Sequence, residues 1–428
     1  MQHTAEPTDF HYWQNLARPS VQMLRTLIRR TVGFDPAPPD AVVRDFAAMY
    51  FDADPLAEAF IDEAYLQQGS AAGRNMLETA LAHGVAAVPN PPASLLALFE
   101  DLTKPPAWLD WAQIDRGARA FRRYGTAVFR FAGAVTLEGY AESSVAKPLA
   151  LTGAYAGATA RKRFLETVAF WIAVSEPDGL RPGAPGLASA LRVRMMHVFV
   201  RRKIAAHAEW NQAAWGVPIS QGDALLTLMG GSFAPGVALH ALGYLPSKRD
   251  ILAMMHFWRY VGHVLGVRPR WYPSTLPEAM QLSFVTMIKG AHKSGDDGIA
   301  LCQAYAKAFE PLAAAPPVPL RDQPRDRLRD RLRARLHAEW EHRLHLGYTR
   351  LFTSPATYRH NRLPSAGPWV ALPLLQFPLR ASAELLRRMV PPLDAIADRR
   401  ARKQRAAWFA RQMGGRSAEY RPVERFVR

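Results

Sequence analysis

The chain has 428 residues, of which 49% are hydrophobic, 10% aromatic and 21% charged, so it can bury a large core and is not a disordered chain. Cys302 is the single cysteine, which excludes an internal disulfide and a Cys-rich zinc site and is compatible with a reducing, cytoplasmic compartment. The formal charge is +17, and 24 Lys+Arg against 10 Asp+Glu from Arg321 onward place +14 of it in the last quarter. A basic segment of this kind serves as a solubilising face or contacts an anionic membrane surface. Nucleic acid is not expected, because no helix-turn-helix, zinc-finger or aromatic RNA-binding signature accompanies the charge.

The first twenty residues lack the basic start and apolar run of a secretory signal, and no continuous apolar stretch of eighteen residues occurs, so neither secretion nor a spanning helix is expected. Up to about Pro105, short helical patterns are cut by joints such as Pro36-Ala37-Pro38-Pro39 and Pro89-Asn90-Pro91-Pro92. From Trp111 to Leu312 the apolar residues recur at three- and four-residue spacing, and β-branched alternation is scarce. The predicted class is all-α. Helices are predicted over Ala160–Val174, Leu191–Trp210 and Lys248–Leu265, with residues 177–186 forming a breaker-rich loop between the first two. Gly230-Gly231-Ser232 reads as a helix break. After the Pro316-Pro317 joint, Arg321 to His345 reads as a solvated charged helix, with His337, His342 and His345 among its charges. The segment 369–390 is apolar first and basic later, broken at Pro373 and Pro378. It docks into the protein's own core or lies in a membrane interface. The chain thus divides into one helical body over 1–320, with its core at about 111–312, and a basic helical extension over 321–428.

The chemistry concentrates in Leu191 to Arg202. On a helix, Arg194, His197 and Arg201 stand three and four residues apart and share one face. Upstream, Arg163 and Thr167 are four apart, with Glu166 between them. A lone helical histidine is more often an ordinary core or surface residue than a ligand, and Thr167 more often bonds back to its own helix. His256 and His263, seven apart, carry the same ambiguity. Cys302 reads as a small buried apolar residue. There is no His-Glu-x-x-His helix, no Gly-x-Ser-x-Gly elbow and no phosphate-binding Gly-rich loop.

The order Arg163, Thr167, Arg194-x-x-His197-x-x-x-Arg201 resembles the core of the latex-clearing protein and MpaB-type oxygenase family. Trp215-Gly216-Val217-Pro218-Ile219-Ser220-Gln221-Gly222-Asp223 and Trp258-Arg259-Tyr260-Val261-Gly262-His263-Val264-Leu265-Gly266 are similar to family segments as well. The resemblance implies a globin-like helical core holding haem b, with additional N- and C-terminal helices. It implies His197 as the iron ligand, Arg194, Arg201 and His263 as cofactor-binding residues, and Arg163, Thr167 and Glu166 near the reaction. With one cysteine, the haem would be held without thioether links. The expected function is oxygenation of a hydrophobic organic substrate, such as an isoprenoid or lipid, by dioxygen, with peripheral membrane contact as a further expectation. Two positions depart from the family. Glu166 stands where latex-clearing proteins carry an iron-capping lysine, and Lys147 stands where they carry a proposed glutamate base, leaving Glu138 or Glu142 as substitutes. These departures keep open a haem-binding sensor or carrier and, third, a peripheral scaffold without haem.

Overall fold

The structure is a computed structural model that describes residues 6–153, 159–311 and 325–413, so the Pro316-Pro317 joint and the residues after Met413 lie outside it. An N-terminal layer runs through α1 (Tyr12–Leu16), α2 (Pro19–Val32), α3 (Asp40–Ala48), α4 (Pro55–Phe60), α5 (Ser70–His83) and α6 (Ala93–Thr103). The centre holds α7 (Trp111–Arg123), α8 (Ala127–Gly139), α9 (Ser143–Thr152), α10 (Thr159–Ser175), α11 (Pro185–Ala205), α12 (Gln212–Trp215), α13 (Gln221–Gly231), α14 (Phe233–Ala238), α15 (Lys248–Val264), α16 (Leu276–Ile288) and α17 (Gly295–Lys307). The C-terminal region adds α18 (Arg325–Phe352), α19 (Pro355–His360), α20 (Ala371–Leu375), α21 (Phe377–Met389) and α22 (Pro392–Met413). No strand occurs among the described residues, so the fold is all-α as predicted.

Local chemistry sets the boundaries. Asp110 caps α7 by accepting the N–H groups of Ala112 and Gln113, and Ser247 with Asp250 forms a capping box on α15. These two helices make the closest pair in the fold, because Gly117 of α7 lies against the Ala253 carbonyl of α15, where a Cβ would come within 2.0 Å. The predicted loop 177–186 is shorter than expected, since α11 begins at Pro185. Proline lacks only an N–H that the first turn leaves unused, and Gly186 then lets α11 press against the Ala173 carbonyl of α10. At its other end α11 stops at Ala205, short of the predicted Trp210. The predicted break at Ser232 separates α13 from α14. Residues Gln221–Leu242 reach a mean hydropathy of 1.4 over a window half buried inside the fold, and both helices pack on α15.

Buried ion pairs bind distant parts of the chain to the centre. Arg194 of α11 makes a bidentate contact with Asp54, the cap of α4, at 2.7 and 2.8 Å. Gly266, at φ +79°, clears the space, because a Cβ there would lie 2.1 Å from the Asp54 carboxylate. From the other end, Arg122 holds Asp398 at 2.7 and 3.0 Å, and Arg130 holds Glu341 at 2.6 Å. Trp408 donates its indole N–H to the same Glu341 and is 1% exposed. Leu344, Tyr348 and Trp408 therefore belong to the same hydrophobic core as Phe129 and Phe257.

These contacts correct the reading of α18 as a solvated helix. Its first part is exposed at Leu332 and Leu336, but Glu341, Leu344 and His345 are buried. The reason is an apolar stripe at three- and four-residue spacing, hidden in the sequence by the surrounding arginines. His345 stacks on Phe309 at 3.6 Å, with neither ring nitrogen bonded. Burial, helped by the nearby Arg130 and His342, pushes its pKa well below the ordinary histidine value.

Two stability measurements follow. Asp54→Asn leaves Arg194 buried without its counter-charge and is expected to cost about 3–5 kcal/mol in urea unfolding. His345 stays neutral when folded but takes a proton near pH 6.5 when unfolded, so the unfolded state binds more protons below that pH. Stability present above about pH 6.5 is thus lost as pH falls. His345→Phe is expected to make that acid loss shallower, by up to about 1.4 kcal/mol per pH unit, in thermal melts taken from pH 7 to pH 5.

Candidate functional site

Helices α10 and α11 form an antiparallel hairpin whose register is set where Gly186 meets Ala173. Equal steps along both helices from that contact bring Arg163 level with Met196 and Thr167 level with Arg192. The packing of α10 on α11 thus sets the two candidate segments on neighbouring helices.

His197 has the properties required of an iron ligand. Burial, with Arg201 adding and Asp54 opposing, lowers its pKa to about 4, so the imidazole is neutral at physiological pH. It makes no hydrogen bond among the described residues and is half-buried on α11. On α11 it lies beside the stripe Val193, Val200 and Ile204, of which Ile204 and Val200 pack with Leu151 and Trp210. Its surroundings are therefore apolar on one side and charged on the other.

Arg194 and Arg201 share a face with His197 and spend most of their donors on protein groups, while Arg194 Nη1 is buried without a hydrogen-bond partner among the described residues. Arg194 pairs with Asp54, and its remaining Nη1 lies 3.6 Å from Asp101. Arg201 donates to Glu58 and to the carbonyls of Pro218 and Ile219, all at 3.0 Å. Both guanidiniums are buried, and a buried cation takes the nearest carboxylate. Their partners were missed in the sequence. The available signal was Asp54-Pro55, a helix start that places Asp54 and Glu58 one turn apart against arginines two turns apart.

On α10, Arg163 is half-buried and donates to Glu166 at 2.9 Å, while Glu166 is buried and lies 3.9 Å from Lys162. Thr167 donates to the Arg163 carbonyl at 3.2 Å. Glu166 is thus tied to the arginine beside it and has no amine to offer an iron. Lys147 is held by Glu209 at 2.6 Å and Asp297 at 2.9 Å. Glu138 caps α19, accepting the Thr357 hydroxyl at 2.6 Å. Glu142 sits beside Gly290 and lines a 20 Å³ cavity with Tyr50 and Lys289. The two substitute bases therefore have other posts.

His263 stacks on Tyr260 with ring centroids 5.8 Å apart and meets the edge of Trp108 at 6.0 Å. Burial, followed by Arg268, lowers its pKa to about 4, and its Nε2 is buried without a partner. Its aromatic neighbours come from α15 and the loop before α7, and Arg194 of α11 is close enough to add to the lowering of its pKa. His256 of the same helix accepts the Asp110 N–H at 3.3 Å. Cys302 is fully buried and its thiol is pushed up to about 12 by burial, in keeping with an apolar role. A 380 Å³ cavity lined by Phe46, Trp271 and Leu282 lies between α3 and α16.

Among the described residues no three His, Cys, Asp or Glu side chains converge as a metal cage. A prosthetic group that brings its own equatorial ligands and asks the protein for one imidazole fits this donor set. The chain is 27% identical over 230 residues to a rubber oxygenase of Streptomyces sp. strain K30, covering 52% of this chain and 54% of that protein. It therefore spans about half the length of that curated relative. The solved structure of latex clearing protein LCP in the closed state covers 84% of this chain and 91% of its own, at 20% identity and a TM-score of 0.50, and shares the fold. Residues 118–427 match the family described as ER-bound oxygenase MpaB/B′ and rubber oxygenase, catalytic domain, and the chain belongs to that family.

Proposed function

We propose that this protein is a haem b-dependent oxygenase acting on a hydrophobic organic substrate, with His197 as the protein ligand to iron. The observation that carries the reading is His197 itself: neutral, without a hydrogen bond among the described residues, and half-buried on α11 of an oxygenase-family member. Bound haem would supply the iron centre at which dioxygen is bound and activated.

The chain's own residues prepare the site. The low pKa of His197 keeps its nitrogen lone pair available across the neutral range, so ligation needs no prior proton loss. Arg194 and Arg201 clamp α11 to α4 and to the 218–219 loop, which fixes the height and rotation of the imidazole. Glu166 restrains Arg163, leaving a positioned cation beside the reaction space, and Thr167 supplies a hydroxyl one turn away. The apolar stripe along α11 limits water and suits an isoprenoid or lipid substrate.

A haem-binding sensor or carrier is the second reading. It is favoured by Lys147 and Glu138, which are both committed to structural contacts, and by Glu166, whose carboxylate is paired with Arg163.

Purified protein supplemented with haem is expected to show a Soret band that is lost or shifted in His197→Ala. Absence of the band from wild type would sink both haem readings and leave the scaffold. Oxygen consumption with a polyisoprene oligomer then separates oxygenase from sensor. In that assay Thr167→Val is expected to keep the Soret band while lowering turnover by about 10²-fold or more, because a positioned proton donor contributes 10²–10⁴.

A further inference from the structure

Helix α21 is oriented opposite to the usual rule for an amphipathic helix. Its polar stripe, Arg380, Glu384 and Arg387, faces the protein. Arg380 lies over the Tyr244 ring at 4.9 Å, and Arg387 is clasped by Glu384 at 2.8 Å and Asp394 at 2.7 Å. Gly243, at φ +84°, admits the Phe377 backbone at this contact. The apolar stripe faces outward: Leu375 is 72% exposed, Leu379 78%, Leu386 53% and Met389 79%. Leu379, Leu386 and Met389 follow one another at seven and three positions, a single line along α21, and Leu375 ends α20 just before it. A folded chain that buries arginines inward and leaves such a line outside has left it for another apolar phase.

Charge identifies that phase. The acidic side chains of α21 and α22 are all occupied, Glu384 and Asp394 by Arg387 and Asp398 by Arg122. Arg388, Arg399, Arg400 and Lys403 are exposed and form no ion pair among the described residues. Nearby, α18 adds exposed Leu336 and Trp340, and Arg343 seated on Trp369 at 4.3 Å holds α18 against the segment that leads into α20. A convex helix with a leucine line and surplus arginine matches the boundary of an anionic bilayer, in which the leucines enter the acyl region and the cations meet phosphate. A second copy would bring like charge against like. We propose that α21 and its flanks are a peripheral docking surface for an anionic lipid membrane. The argument rests on this surface alone and is independent of the haem reading.

The test is co-sedimentation of the full chain with phosphatidylcholine vesicles, with and without phosphatidylglycerol. One variant carries Leu379→Ser, Leu386→Ser and Met389→Ser, and another carries Arg388→Gln, Arg399→Gln and Arg400→Gln. All six side chains are exposed, and unchanged melting temperatures would establish intact folding. Wild type is expected to partition onto the phosphatidylglycerol vesicles. The serine variant should lose at least tenfold, about 1.4 kcal/mol, and the glutamine variant should lose the preference for phosphatidylglycerol. Wild type remaining in solution with both vesicles would overturn the proposal. So would a serine variant that sediments like wild type, which would assign binding to other basic residues. A dimer abolished by the serine substitutions, with no vesicle binding, would assign the face to a second copy and likewise overturn it.

Discussion

The Arg194–Asp54 pair is the contact on which the rest of the arrangement depends. It joins the helix that carries His197 to the N-terminal layer, and three further groups converge on it. Gly266 leaves it room, Asp101 approaches the free corner of the guanidinium, and Gln221 bridges the backbone of Ala53 and Gly266 at 2.6 and 3.1 Å. A buried pair of this kind adds little net stability over a hydrophobic substitute, but it is strongly directional. It therefore acts by specifying one rotation of α11. That rotation fixes the direction in which α11 presents the His197 side chain. The segments 215–223 and 258–266, which resemble the family most closely outside the hairpin, are the two that build this surround.

The same constraint explains why arginines with the spacing of cofactor ligands are structural. Arg194 and Arg201 reach protein carboxylates without leaving α11, and their desolvation is met by short, partly bidentate contacts. Arg163 is only half-buried and keeps a single acidic neighbour in its own helix. The cations are thus divided: Arg194 and Arg201 secure the frame, and Arg163 remains more accessible.

Much of the frame was legible because helical periodicity is local. The predicted 160–174 and 248–265 segments differ from α10 and α15 by about a residue at each end, and the break at Ser232 follows from Gly230-Gly231. What was not legible depends on long-range partners. Nothing local distinguishes His345, buried on Phe309, from His337 on the same arginine-rich helix. Nothing local assigns Asp54 to Arg194 across 140 residues. The sequence showed 369–390 as apolar first and basic later, but which face of α21 meets the body depends on Tyr244 and Asp394, contributed by other elements.

The closure of Arg122 on Asp398 spans 276 residues. During synthesis, α7 and α8 leave the ribosome with faces meant for Glu341, Asp398 and Trp408, which are made last. Local hairpins such as α10–α11 can form early, but the central apolar surface stays uncovered until the final helix arrives, and loop-closure entropy opposes that last docking. An incomplete chain ending anywhere before α22 would present Phe129 and a bare Arg122 to its surroundings, which makes it aggregation-prone and a substrate for chaperones. The last helix is in this sense the latch of the folding reaction.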